Sequence, residues 1–467
     1  MKKVSRREML CAMAAGTTVA LLPSYLAAEQ KAKRPNIVFI LADDLGYGGL
    51  GCYGQKKIKT PCIDRMAAEG IRFTRAYAGS TVCAPSRCAL MTGLHTGHCR
   101  IRGNHSLVRR DALALLPDDV TVAETLQKAG YRTALIGKWG LGEIGSSGAP
   151  RNKGFDEFFG YTDQGEAHNY YPEWLWRNEE KEPLPGNVLE MPRVSKERTT
   201  YSHDLFTKEA LSFLGRQNGE KPFFLYLAYT LPHANNEATR VREHGMEVPD
   251  EGSYAGEDWP PAQRSHAAMI SRLDRDVGRV LDLLRERGLA ENTLVFFASD
   301  NGPHKEGGAD PAFFEDSGPF RGFKRDMYEG GIRVPAIAWW PGVISPGQVS
   351  DHCWAFWDFP VTASSLAGVE APSGDGISLL PLLTGKGHQE THEVFYWEFH
   401  EGGCRQAVRF GEWKAVKPGK GEKLELYRVE EDPGEENNCA GLYPEKVKEA
   451  LTYLRRERSE SEDFPRR

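Results

Sequence analysis

The sequence lacks any surplus of positive charge. Its 467 residues carry a net charge of −6, and nucleic-acid binders are typically basic, so that class is excluded. It also lacks an apolar run of the roughly 20 residues that a membrane span needs. No Cys-x-x-Cys pair occurs among Cys52, Cys62, Cys83, Cys88 and Cys99, which removes the usual zinc spacings. Nine cysteines suit disulfides in an oxidising compartment, and most are expected to be either buried thiols or disulfide partners. No internal repeat is present. What remains is an ordinary globular composition, 40% hydrophobic and 27% charged, with 49 glycines and 28 prolines that point to many loops. A chain of this length exceeds one core's usual reach, so a large domain with a smaller companion is expected.

The N-terminus reads as an address. Ser5-Arg6-Arg7-Glu8-Met9-Leu10 precedes an apolar, alanine-rich run from Cys11 to Leu22, and Ala27-Ala28 offers a cleavage point. Paired arginines before such a run resemble a twin-arginine export signal. Residues 1–28 are therefore expected to direct export to the periplasm or beyond the cell. The mature chain is expected to have no membrane span.

Strand-then-helix units dominate the next 350 residues. Asn36–Ala42 is a continuous apolar run of the kind a doubly covered strand needs, and Asp43-Asp44 ends it. Thr60-Pro61 reads as a helix start, and Thr121–Glu124 as a capping box. Arg132–Ile136, Phe223–Tyr229, Thr293–Ala298 and Val334–Trp340 read as further strands. Apolar positions from Met269 to Leu284 recur at helical spacing. The alternation predicts an α/β/α sandwich around a large, mostly parallel sheet over residues 34–387. Short strands and a last helix near Tyr443–Arg456 predict a small antiparallel-sheet domain over 388–467. Ligands bind beyond the carboxyl ends of parallel strands. Asp43-Asp44, Lys138, His233 and Asp300-Asn301 all fall there.

Cys83-Ala84-Pro85-Ser86-Arg87, followed by Thr92-Gly93, is the most specific signal in the chain. It resembles the maturation motif of the formylglycine-dependent sulfatases, part of the alkaline-phosphatase-like superfamily. The resemblance implies that a maturase reads the cysteine, proline and arginine and oxidises Cys83 to an aldehyde, 3-oxoalanine. Hydrated, such an aldehyde carries two hydroxyls. One can attack sulfur, and the other can lose its proton and expel sulfate. Three carboxylates and an amide oxygen, from Asp43, Asp44, Asp300 and Asn301, suit a hard cation such as calcium, with magnesium the alternative. These residues, with residue 83 itself, match the family's metal ligands. The resemblance further implies that Arg87 holds the hydrate, that Lys138 and Lys324 bind sulfate, and that His233 serves the leaving oxygen.

One departure stands out. Family members often read Gly-Lys-Trp-His, whereas Gly140 closes that motif here. The absent histidine is thought to take a proton during sulfate expulsion, and His95, Glu143 and His168 are the candidates to replace it. Glu166–Pro185 interleaves His168, Asn169, Tyr170, Tyr171, Trp174 and Trp176, a composition suited either to a sugar ring or to a loop packing its own aromatics. His168 is expected to touch substrate. The resulting expectation is hydrolysis of a sulfate ester on a sulfated carbohydrate. A phosphate or phosphonate ester hydrolase of the same superfamily and a non-catalytic glycan binder are the alternatives.

Overall fold

The computed structural model describes residues 34–108, 113–419 and 421–465. The segment expected to direct export lies outside these. Arg34–Arg467 form one compact unit.

The centre is a ten-stranded sheet. Its strands are β1 (Asn36–Ala42), β2 (Ile71–Phe73), β3 (Arg132–Lys138), β4 (Glu157–Tyr161), β5 (Trp174–Arg177), β6 (Glu180–Pro183), β7 (Phe223–Ala228), β8 (Thr293–Ser299), β9 (Ala336–Trp339) and β10 (Gln348–Ser350). They lie in the order β10-β2-β9-β8-β1-β7-β3-β4-β5-β6. The five from β8 to β4 are mutually parallel, so their carboxyl ends emerge on one edge. Antiparallel β9 and the β5–β6 hairpin flank them.

Every residue of β1 is buried. Val38, Ile40 and Ala42 enter one core while Ile37, Phe39 and Leu41 enter the other, the period-two alternation of a strand covered on both faces. Each fully buried aliphatic side chain contributes about 1.5–3 kcal/mol. The first core is closed by α1 (Pro61–Glu69), α4 (Ser202–Gly215) and α5 (Pro261–Glu286). The second is closed by α2 (Cys83–Thr92), α3 (Val122–Lys128) and α6 (Asp358–Ala367). The α/β/α arrangement is that expected. The capping box at Thr121 forms with both of its hydrogen bonds. Thr60, by contrast, makes no cap bond, because its hydroxyl accepts from Gly51 N–H and donates to Asp64.

A second, four-stranded antiparallel sheet comprises β11 (Phe395–Phe399), β12 (Arg405–Phe410), β13 (Trp413–Lys417) and β14 (Glu425–Arg428). Tyr396, Val408, Ala415 and Leu426 pack on α7 (Pro444–Arg456). Trp397, Phe399, Ala407 and Val416 pack on Tyr77, Val82 and Trp357. The small sheet thus braces the segment that leads into α2.

Of the two expectations for the cysteines, buried thiols or disulfide partners, no disulfide forms among the described residues. The eight cysteines among the described residues are all free. No described helix is long and apolar enough to cross a membrane.

Candidate active site

Adjacent parallel strands deliver the carboxylates. β1 runs directly into Asp43-Asp44, and β8 into Asp300-Asn301, all four buried. Asp44 adopts φ 64, a left-handed conformation that costs a non-glycine residue about 1–2 kcal/mol. Two bonds hold it there. Its N–H donates to Asp300 Oδ1 at 3.1 Å, and Asn301 Nδ2 donates to Asp44 Oδ1 at 2.7 Å. Cys83 opens α2 and is buried beside them. Donor atoms of Asp43, Asp44, Cys83 and His233 lie within 4.8 Å of one another.

Three cations face this cradle. Lys138, the last residue of β3, donates to Asp43 Oδ2 at 2.7 Å. Arg87, one turn along α2 from Cys83, donates to Asp300 Oδ2 through Nε at 3.1 Å and Nη2 at 2.8 Å, and to Lys138 O at 2.8 Å. Lys324 donates to Asp44 Oδ2 at 2.8 Å. Burial would raise the Asp43 carboxyl, yet Lys138 and Arg87 outweigh it and hold the group far below the usual carboxylate range. Burial and then the neighbouring Asp43 charge push Asp300 up to about 7. The same cluster thus holds one carboxyl down and pushes its neighbour up.

Two oxygens in the cradle, Asp43 Oδ1 and Asn301 Oδ1, are buried with no hydrogen-bond partner. Leaving a buried acceptor unmade costs about 1–3 kcal/mol, and more for a charged one. An oxygen-binding cation beside Asp43, Asp44, Asp300 and Asn301 would satisfy both and relieve the repulsion, so the residues present fit a divalent ion.

His233 follows β7. Its Nδ1 lies 2.6 Å from Ala234 O, which fixes the proton there and leaves Nε2 as acceptor for Lys324 Nζ at 3.0 Å. Burial and the adjacent Lys324 ammonium hold its pKa well below the ordinary histidine value. His168 stacks on it, ring centroids 4.6 Å apart, and places Nδ1 3.0 Å from Glu237. Cys83, His168, His233 and Lys324 share one cleft of about 500 Å³.

Gly140 has φ 75, and a methyl group placed on it would lie 1.8 Å from Gln164 Nε2. The Gln164 amide therefore fills the space of a side chain at this position. Of the three candidates for the missing histidine, Glu143 and His168 line the cleft. His95 does not. It stacks on His98 at 4.3 Å and faces Asp375 and Glu457. The aromatic segment divides as well. Tyr170 and Tyr171 turn into the core, Tyr170 donating to the carbonyls of Thr230 and His233. Trp174 and Trp176 line a separate pocket. Only His168 of that stretch reaches the cleft. Trp174 and Trp176, two residues apart on β5, share one face of the β5–β6 hairpin.

Several cleft residues carry no sequence signal. Gln164, Arg193, Glu237, Arg325 and Glu401 arrive from loops, and a loop residue's neighbours are set by tertiary structure rather than by periodicity.

Known proteins resemble this chain in sequence and fold. The sulfatase family model matches residues 35–369, and a model described as the N-sulphoglucosamine sulphohydrolase C-terminal region matches 318–460. N-acetylgalactosamine-6-sulfatase from Sus scrofa is 35% identical over 405 residues, covering 82% of this chain and 71% of that protein. Arylsulfatase A from Homo sapiens is 34% identical over 508 aligned residues, covering 96% and 90%. The solved structure of Ps i-CgsB in complex with k-i-k-neocarrahexaose has a TM-score of 0.76 and 26% identity, covering 91% of this chain and 92% of that one. With a sheet-edge carboxylate cradle beside Cys83 and these relatives across nearly its whole described length, the chain belongs to the formylglycine-dependent sulfatase family.

Proposed function

We propose that this sulfuric ester hydrolase removes sulfate from a carbohydrate, using an aldehyde made from Cys83 and a calcium ion in the cradle. The observation that carries the reading is the buried oxygen set of Asp43, Asp44, Asp300 and Asn301, two of whose oxygens have no partner, with Cys83 and His233 close to the aspartates. When present, the hydrated aldehyde and the cation would supply an attacking hydroxyl and a route for sulfate to leave. The unmodified thiol is a poor substitute, because burial pushes it up to about 11 and keeps it protonated at neutral pH.

The chain's own residues prepare the site. Arg87 orders Asp300 and Asp43, and Lys138 orders Asp43. Lys138 and Lys324 bring positive charge to where sulfate oxygens would sit. The Lys324–His233 pair, with Nζ–H facing a neutral Nε2, is placed to serve the leaving oxygen. Calcium suits ligands drawn from two strand ends better than magnesium, which demands near-ideal octahedral geometry.

Support for a sugar comes from the relatives' names and from the polar side chains that line the cleft, His168 among them. Arg87 and Ser86 are fully buried, and Pro85 is buried too, once the chain is folded, so a maturase reads this motif before folding closes over it. Residues 1–28 then serve as the export signal, with the sulfatase body over 34–387 and the small sheet over 388–467. The periplasm or the cell exterior follows as the site of action.

Turnover of nitrophenyl sulfate, nitrophenyl phosphate and a panel of sulfated mono- and disaccharides tests the reading. Sulfate release from a sugar, with phosphate esters slower by orders of magnitude, is expected. A preference for phosphate by that margin would end it.

A further inference from the structure

Consecutive residues in an extended segment point to opposite sides, yet Lys324 and Arg325 reach the same carboxylate. Arg325 adopts φ 79. Its N–H donates to Thr81 O at 3.1 Å, and Arg405 Nη1 donates to its carbonyl at 2.7 Å. This turn brings Lys324 Nζ to 3.1 Å from Glu306 Oε2 and Arg325 Nη1 to 2.6 Å from Glu306 Oε1. Arg325 Nε continues to Glu401 Oε2 at 3.1 Å, in the loop between β11 and β12 of the small sheet. A relay of alternating charge, Lys324–Glu306–Arg325–Glu401, thus joins the site to the small sheet.

The relay matters because Lys324's other anionic partner is Asp44, at 2.8 Å. A divalent ion in the cradle would draw on the same carboxylate and weaken its hold on the ammonium. A lysine is a point charge on a flexible four-carbon stem, so it stays over a target only while its partners keep it there. Glu306 is then the anion left to do so. Burial opposes its charge, but Lys324 outweighs that effect and holds the carboxyl down at about 2.

We propose that Glu306 is a positioning residue that keeps the Lys324 ammonium against His233 Nε2 and the sulfate site, clamped in turn by Arg325 and Glu401. The proposal rests on the sulfatase reading for its chemistry and on the geometry of these four side chains for its structure.

Glu306→Gln preserves shape and removes the charge. Two readouts are taken with calcium present, on enzyme whose residue 83 content has been quantified by peptide mass spectrometry. The first is covalent amine labelling of Lys324, with exposed Lys305 as internal control. The second is kcat and KM on an aryl sulfate. Lys324 labelling is expected to rise at least about fivefold while Lys305 stays constant. The kcat value is expected to fall about ten- to a hundredfold with KM within about threefold, the usual cost of losing an orienting partner. Labelling and kcat both unchanged would overturn the proposal. So would a fall in kcat accompanied by a lowered Tm and general lysine exposure, which would mark a merely structural role. Wild-type enzyme inert on every sulfate ester would refute the activity instead, and the labelling ratio would still judge Glu306.

Discussion

Two buried ionic clusters in this molecule have opposite bookkeeping. In the small sheet, Glu398 accepts from Arg102 and His400 on Oε1 and from Tyr396 and Arg458 on Oε2, at 2.7–3.0 Å. Both oxygens are filled, and the ring ties β11 to the Arg102 loop and the chain end. In the cradle, carboxylates crowd together while Asp43 Oδ1 and Asn301 Oδ1 have no partner. The first cluster has the form of a structural joint. The second is incomplete as it stands, and its deficit has the sign and hardness of a divalent cation. Satisfaction of the oxygens, more than burial or charge, separates the two.

Substitutions sharpen this contrast, and the largest effect belongs to residue 83. Cys83→Ala is expected to lower sulfate-ester turnover by at least about 10⁴-fold, since a nucleophile has no substitute. Its thermal unfolding should match wild type. Residual turnover within tenfold of wild type, measured with the protein free of contaminating sulfatase, would contradict the role.

Glu398→Gln should do the reverse, costing stability with little effect on chemistry. Burial opposes the Glu398 charge, but His400 and Arg102 prevail and hold it at about 2, against an ordinary value of 4.5. The native state therefore binds fewer protons than the unfolded chain between those values. The stabilisation, on the order of 3 kcal/mol, is complete above pH 4.5 and is lost as pH falls towards 2. Denaturant melts at pH 7 and pH 3 check it. The variant should be the weaker at pH 7, and the gap should close in acid. A gap that stays constant or widens would break the comparison.

The smallest expected effect is at His168. Its one polar contact with substrate should contribute about 1 kcal/mol, so His168→Ala should raise KM roughly five- to tenfold. Unchanged KM and kcat on every sulfated sugar tested would remove it from the site.

Much of this was legible from the amino acids. Buried strands announce themselves as apolar runs, and the polar residues that end such runs, Asp43-Asp44 and Asp300-Asn301, sit where a parallel sheet gathers ligands. Cys83, Lys138, His233 and Lys324 also converge in the folded chain. What could not be read came in sideways. Glu306 and Glu237 act through loops, and nothing in their spacing says that Lys324 or His168 will meet them. Gly140 was visible as a departure, but that Gln164 fills its space depends on how the chain after β4 folds back. Tyr170 and Tyr171 stay undecided in the sequence because an aromatic-rich stretch has the same composition whether its rings face a ligand or the core, and the fold turns them into the core. The free cysteines show that cysteine number alone does not make a disulfide.

Calorimetric titration of calcium into chelator-stripped enzyme tests the central claim most directly. One saturable ion per chain is expected for wild type, with the site abolished in Asn301→Ala and retained in Glu398→Gln. Wild type that takes up no calcium or magnesium, or takes it up equally well without Asn301, would contradict the account.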